Sequence, residues 1–344
     1  LGVWQDISAR AEPIRQIHVS ERGGFGFTRL HHASEGVAAL GYVVTARDLG
    51  SVLLESLANC EDVELIAPAR VTSVQTTEQK AGIDIMRDGE TVNLETSLLV
   101  AADGGQSFIR EQLQIATRRW DYAQHAVVAN ISPSKPHQGV AFERFTEQGP
   151  VALLPMSEQR CALVYTVQDK ELEAVQGLDD ERFLALVQQR FGWRLGRFKQ
   201  VGKRAAYPLS HIRALKPARQ RAAIVGNAAH TLHPFAGQGF NLGIRDVAAL
   251  AEVVQEAHRD GLDIGSQQVL QQYHRWRHKD QQVVALATDG LVRLFSNPLR
   301  PVKLARNLGM LALDGLPMVR HQLALGAMGV NGRLPRLARG LDLD

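Results

Sequence analysis

The sequence predicts an α/β chain, α+β overall, in which a domain built from strand, glycine-rich loop and helix is interrupted by an antiparallel sheet and followed by a helical C-terminal region. Three observations predict it. Two short apolar runs, 97–102 (SLLVAA) and 222–225 (AAIV), each end abruptly in a loop of glycines and other small residues. Between them, residues 127–167 alternate apolar and polar positions with Pro and Gly at the turns, the period-2 pattern of antiparallel strands. Beyond Gly261 the apolar spacing is helical almost to the end.

Taken in order, residues 14–20 and 24–30 alternate like strands around Glu21-Arg22-Gly23, a hairpin. Residues 48–59 carry apolar side chains at helical spacing, with Asp48 as the expected N-cap. Strands are expected at 63–66, 71–76 and 83–87, and Asp88-Gly89 turns the last of these into 91–94. The run 97–102 reads as a strand buried on both faces of a parallel sheet. Four further strands fall at 127–132, 140–146, 151–156 and 161–167. An amphipathic helix spans 180–191, with Gly192 at its C-terminal cap, and a long helix spans 240–258.

Composition narrows the function classes. With 344 residues, 45% hydrophobic and 22% charged, the chain can bury the cores of two or three domains and is neither disordered nor fibrous. Mean hydropathy is −0.14, and no apolar run approaches the ~18 residues that span a bilayer. A net charge of +3, from 39 Lys+Arg against 36 Asp+Glu, is too near balance to imply nucleic acid. Residues 1–20 lack a basic-then-apolar leader pattern. Cys60 and Cys161 are far apart with no C-x-x-C partner, so a reducing, cytoplasmic compartment fits best.

The chemistry concentrates in two segments. In 223–243 (AIVGNAAHTLHPFAGQGFNLG) a buried strand ends at Gly226 and a helix begins near Gly239, so free backbone N–H groups and the positive end of the helix dipole face whatever occupies the loop. Gly237 and Gly239 remove Cβ atoms where a flat ring or phosphate approaches, Pro234 stiffens the loop, and Asn227 offers its amide to a ribose hydroxyl. The second segment, 98–110 (LLVAADGGQSFIR), places Asp103 beside loop amides and Arg110 where it can neutralise a pyrophosphate. Each is also compatible with a tight strand-to-helix turn holding no ligand. Together they suggest a nucleotide-binding domain with an inserted sheet.

Asp103-Gly104 with Ser107 and Arg110 resembles the first fingerprint of the flavin-dependent aromatic hydroxylases. Gly226-Asn227-Ala228-Ala229-His230, then Pro234 and Gly237-Gln238-Gly239-Phe240-Asn241, resembles their second. Segments 141–156 (AFERFTEQGPVALLPM), 191–196 (FGWRLG) and 202–209 (GKRAAYPL) are similar to the ubiquinone-biosynthesis branch of that family, and the likeness covers nearly the whole chain. The resemblance implies a GR2-type FAD-binding domain with an inserted antiparallel β-sheet substrate domain and a helical C-terminal region. Its boundaries would be 1–110 and 216–262 for the FAD-binding domain, 111–215 for the substrate domain, and 263–344 for the helices, with 14–30 a hairpin of the substrate domain. Relatives begin with strand–GxGxxG–helix, which this sequence lacks, so the first βαβ unit is expected to be missing and the chain N-terminally incomplete.

The resemblance also implies roles. Asn227, where the wider family has Asp, would bind the ribityl or ribose region. Gly226 would be cofactor-binding, and Pro234 and Gly237–Asn241 would wrap the isoalloxazine ring, the amides of 239–241 stabilising negative charge as it is reduced. Asp103, Gly104, Ser107 and Arg110 would serve the FAD pyrophosphate, and Arg47 lies near a flavin-contacting arginine. The implied reaction hydroxylates a polyprenylated methoxyphenol with NAD(P)H and O₂ through a flavin C4a-hydroperoxide, in a site closed to water. His230, His233 and Tyr207 are the expected bases for the phenol, with His211 nearby, and each is equally a packing residue. Other readings are a 2-polyprenylphenol hydroxylase of the same pathway, a non-catalytic fragment unable to hold FAD, and an NAD(P)-dependent reductase using 237–243 as its dinucleotide loop. No metal site is expected, because His230/His233 and His31-His32 lack a third ligand. Residues 290–344 hold eight basic and three acidic residues among Leu, Met and Val. That pattern suits either an anionic membrane surface, with a ubiquinone-biosynthesis complex as partner, or a solvated helical cap.

Overall fold

The computed structural model describes residues 2–232, 237–297 and 299–343. His233 and Pro234 fall outside them. In chain order the elements are α1 (Trp4–Ser8), β1 (Glu12–Ile14), β2 (Gln16–Glu21), β3 (Phe27–His31), β4 (Gly41–Val43), α2 (Ala46–Ala58), β5 (Arg70–Thr76), β6 (Ala81–Arg87), β7 (Glu90–Thr96), β8 (Leu99–Ala101) and α3 (Phe108–Gln112). There follow β9 (Thr117–Pro133), β10 (Val140–Phe145), β11 (Val151–Pro155), β12 (Cys161–Gln168), α4 (Asp169–Gln176), α5 (Asp180–Phe191), β13 (Phe198–Val201) and β14 (Ala205–Ala214). The last are β15 (Ala218–Arg219), β16 (Ala222–Ile224), β17 (His230–Thr231), α6 (Gln238–Arg259), α7 (Gln267–Ser296), α8 (Arg300–Gly315) and α9 (Pro317–Met328). They form two compact units, and β9, β14 and α7 contribute residues to both.

The first unit comprises Leu1–Glu64, Ala123–Leu209 and Gly290–Met328. Its sheet runs β13–β9–β12–β11–β10–β2–β3, antiparallel except where β10 meets β2. One face is closed by α4 and α5 over a core that includes Ile131, Leu153, Leu163 and Tyr165. α5 reaches that core because Phe183, Val187 and Phe191 recur every four residues, and Asp179 caps it by accepting the Arg182 N–H at 2.8 Å. α8 packs beside β3, where the Met310 carbonyl accepts from Thr28 Oγ1 at 2.8 Å. The hairpin loop between β2 and β3 approaches α8 so closely that a Cβ on Gly26 would lie 2.4 Å from the Asn307 carbonyl oxygen. The Gly23–Gly26 cluster therefore serves helix packing.

The second unit comprises Leu65–Tyr122, Ser210–Asp289 and Gly329–Asp344. It holds an antiparallel sheet β5–β6–β7 and a three-stranded sheet β15–β16–β8 in which β16 and β8 are parallel. One face of the latter buries Leu99, Ala101, Ala222 and Ile224 with Ile109 of α3. On the other, Ala223 and Val225 pack against Ala249, Leu250 and Val253 of α6 and Leu270 and Tyr273 of α7.

Three local expectations are corrected. Residues 63–66 form no strand; Val63 and Leu65 are exposed, and among the described residues no neighbouring strand pairs with them to hold extended backbone. The N-cap of α2 is Thr45, with Asp48 inside the first turn: the Asp48 N–H donates to Thr45 Oγ1 at 3.1 Å, and that hydroxyl donates to Asp48 Oδ2 at 2.6 Å. The run 97–102 is not buried on both faces, because the helices covering β16 leave the edge strand β8 open and Val100 is 43% exposed.

Candidate functional site

β8 and β16 are parallel neighbours, Leu99 opposite Ala222 and Ala101 opposite Ile224, so the loops leaving their C-terminal ends emerge side by side. That edge is where open α/β sheets bind ligands. In the first loop, Asp103 Oδ2 accepts the Ile109 N–H at 3.0 Å and Ser107 Oγ caps α3 by accepting the Arg110 N–H at 3.0 Å. The Arg110 guanidinium is turned inward: it donates to the Ala228 carbonyl at 2.8 Å and the Gly105 carbonyl at 2.9 Å. Arg110 thus ties the two glycine loops together.

The second loop leaves Asn227 exposed, its side-chain amide without a partner among the described residues. α6 then starts from Gly237, which is left-handed (φ 63°) and supplies no capping side chain. Among the described residues no side chain caps the first turn of the helix. Phe240 and Asn241 are exposed, and Gln238 is buried. Among the described residues, a Cβ built on Gly104, Gly237 or Gly239 meets nothing within 4 Å. Gly226 and Gly243 come together instead: a Cβ on Gly243 would lie 3.1 Å from the Gly226 Cα.

Behind the loops is a buried polar network. Asp246, fully buried on α6, accepts from His230 Nε2 at 2.6 Å, Arg277 Nε at 2.7 Å and Gln281 Nε2 at 3.0 Å. Burial alone would raise its pKa, but the hydrogen bonds and charges of His230 and Arg277 outweigh it and hold the carboxyl below its usual value. Arg277 also meets Asp280 at 2.6 Å, which binds Arg245 at 3.0 Å. His230 is therefore a buried brace between the second loop and the helices, with Nδ1 unpartnered among the described residues. His211 is buried against the Trp120 ring, 3.8 Å between centroids, and burial lowers its pKa to about 4.

Two expected site residues lie in the first unit. Arg47 is exposed in the first turn of α2, and Tyr207 on β14 is 58% exposed. The first unit also holds Glu143, which sequence reasoning missed. The signal was present: Glu143 and Arg144 are adjacent in a strand, so they point to opposite faces of a sheet whose two faces cannot both be solvent.

Comparison with known proteins decides the family. The FAD binding domain family matches residues 1–287. The ubiquinone hydroxylase UbiL of Rhodospirillum rubrum is 38% identical over all of this chain and 80% of its own length. The chain belongs to the FAD-dependent ubiquinone hydroxylase family. The 3-demethoxyubiquinol 3-hydroxylase of Escherichia coli is 29% identical over 96% of the chain and 83% of its own length. The p-nitrophenol 4-monooxygenase PnpA of Pseudomonas putida shares the fold, with TM-score 0.81 at 17% identity over 96% of this chain and 84% of that one. This hydroxylase is accordingly an FAD-dependent aromatic monooxygenase. The residues present fit that cofactor: open space over three glycines, uncapped helix amides suited to negative charge, and an unpartnered exposed amide suited to a hydroxyl. Among the described residues no helix is long and apolar enough to cross a membrane.

Proposed function

We propose that this hydroxylase adds one oxygen atom of O₂ to the ring of a polyprenylated methoxyphenol, with NAD(P)H as reductant. The observation that carries the reading is the pairing of two fingerprint loops, 118 residues apart in sequence, at one edge of a parallel sheet through Arg110. Bound FAD supplies the redox chemistry: electrons from the reductant and delivery of oxygen to the ring. Asn227 holds a ribityl or ribose hydroxyl, and Asp103, Gly104 and Ser107 shape the loop that receives the pyrophosphate. Gly226 and residues 237–241, including Gln238, Gly239, Phe240 and Asn241, take the ring, whose negative charge the α6 amides stabilise. Arg110 sets the spacing of the two loops. As a base for the phenol, His230 is engaged with Asp246 and Tyr207 is largely in solvent, which favours a group elsewhere. The test is quinone-intermediate profiling by mass spectrometry in cells lacking the gene. A polyprenylated methoxyphenol should accumulate, and accumulation of an earlier phenol would assign the enzyme to another ring position.

The substrate's polyprenyl tail calls for a lipid surface, and α8 supports peripheral membrane binding. It turns Arg306 and Asn307 inward, where they bind Glu21, and leaves Leu304, Leu308 and Leu311 exposed near Arg300 and Lys303. Arg306 thus drops out of the basic surface counted from the sequence. Leu304→Ser with Leu308→Ser should lower flotation with anionic liposomes; unchanged flotation would reject the membrane reading.

A further inference from the structure

The sheet of the first unit has two unlike faces. Opposite the face closed by α4 and α5, strand register gives one continuous cross-strand row: Thr28, Val19, Glu143, Ala152, Val164 and Val128. Val19, Val164 and Val128 are only half-buried, as are Leu154 and Ala162 one pleat along, whereas their strand neighbours on the closed face are fully buried. This face is therefore apolar and incompletely closed. Glu143 is the ionisable member of the row.

Glu143 is 8% exposed, and among the described residues it has neither a hydrogen-bond partner nor an ion pair. The other buried acids all have partners. Glu21 is bound by Arg306 and Asn307, Asp246 by His230, Arg277 and Gln281, and Glu252 by the Arg336 N–H. An unpaired carboxyl largely withdrawn from water is costly, and folding alone gives no reason to keep one in a row otherwise made of Val, Ala and Thr. Charged groups near it are engaged elsewhere. On the same face Glu21 is neutralised by Arg306 of α8, and Asp314 of α8 accepts the Arg29 N–H. Arg144 and His18 belong to the opposite face, Arg144 donating to the Phe191 carbonyl.

We propose that Glu143 is the residue that meets the phenolic hydroxyl of a substrate lying on this apolar face and takes its proton. The proposal rests on the reading of the enzyme as a phenol hydroxylase. In the step, the phenol O–H bond breaks and the proton passes to a Glu143 Oε, converting carboxylate to acid. The electron pair stays on the substrate oxygen and spreads into the ring, which becomes the better nucleophile; no electron is gained or lost. Burial, with no neighbouring charge contributing, pushes Glu143 up to about 8, close to the range in which a general base serves best at physiological pH.

The test uses the flavin-loaded enzyme with a short-chain prenylated methoxyphenol as probe. Glu143→Gln should lower kcat roughly 100-fold, since general base catalysis contributes on that scale. KM should stay within about threefold, because an amide still hydrogen-bonds the hydroxyl. The rise of kcat through about pH 8 should disappear in Glu143→Gln, and Glu143→Asp should recover part of the rate. Glu143→Leu should melt at or above the wild-type temperature, whereas a residue kept for folding would melt lower and overturn the proposal. Wild type that hydroxylates the probe alongside an equally active Glu143→Gln with the same pH limb would overturn the role of Glu143 alone. Wild type that neither binds nor oxidises any phenol would overturn the phenol reading, and this proposal with it.

Discussion

Asp246 in the second unit and Glu143 in the first are both buried residues with carboxyl side chains, and their surroundings push them in opposite directions. Asp246 accepts three hydrogen bonds, two from side chains able to carry positive charge, and its pKa falls. Glu143 lies in a row of apolar side chains and its pKa rises. The first is a brace whose charge is compensated on the spot. The second is poised to exchange a proton. Burial by itself identifies neither role; the partners do.

The brace should give the largest effect. Asp246→Ala removes the acceptor shared by His230, Arg277 and Gln281 and leaves the Arg277 guanidinium buried with, among the described residues, Asp280 alone as counter-ion. Breaking one side of a buried pair typically costs about 3–5 kcal/mol, and urea denaturation should show a loss on that scale. A loss under about 1 kcal/mol would make the network dispensable and remove the contrast with Glu143.

Next comes Arg110→Ala, which strips hydrogen bonds from two carbonyls in different loops, those of Gly105 and Ala228. Unpaired buried groups cost about 1–3 kcal/mol each. Water can reach the partly buried Gly105 carbonyl, so a total near 2 kcal/mol is expected. Flavin affinity measured by fluorescence quenching should fall as well, because the loops lose their fixed spacing. Retention of wild-type affinity would mean that Arg110 stabilises the unit without shaping the site.

The third prediction separates the two carboxyls by pH. Glu143 has a folded pKa raised above its unfolded value, so its contribution is fully present below the unfolded pKa and is lost as pH rises toward about 8. Asp246 has the opposite sign: its contribution is present above the unfolded pKa and is lost as pH falls through the depressed folded one. Between about pH 5 and 7, Glu143→Gln should therefore remove a downward slope of up to about 1.4 kcal/mol per pH unit. Parallel stability curves for wild type and Glu143→Gln would show that the Glu143 carboxyl is not held neutral.

What was legible in the sequence follows the same division. The motif loops could be read because they need glycines and small polar residues at fixed places beside an apolar strand. Helix 180–191 could be read because it carries its own cap and stripe. The direction of Arg110 could not, since a guanidinium after a strand can face a phosphate or a carbonyl, and only the packing of β8 against β16 brings the Ala228 carbonyl within reach. Sequence alone does not separate Thr45 from Asp48 as the cap, because both are capping residue types and their reciprocal bond appears only once the helix start is fixed. Glu143 was hidden by register: which member of the Glu-Arg pair faces inward, and beside what, depends on strands far away in sequence.

The smallest effect on stability should come from Gly243→Ala, and it isolates the cofactor loop from the brace beneath it. Alanine inside α6 gains about 1 kcal/mol in helix propensity over glycine. Its Cβ, however, would lie 3.1 Å from the Gly226 Cα, so the loop must give by a few tenths of an ångström. Such overpacking costs about 1–3 kcal/mol when the neighbour is backbone. Because the shift needed is only a few tenths of an ångström, the cost falls at the low end of that range, and the net change in unfolding free energy should stay within about 1 kcal/mol. Flavin binding has no such compensation, because displacing Gly226 moves Asn227 and the loop that receives the ring. A several-fold weaker flavin affinity at almost unchanged stability would show that loop position, rather than unit stability, limits cofactor retention. Stability and affinity falling together, as expected for Asp246→Ala, would instead make loop and brace one cooperative element.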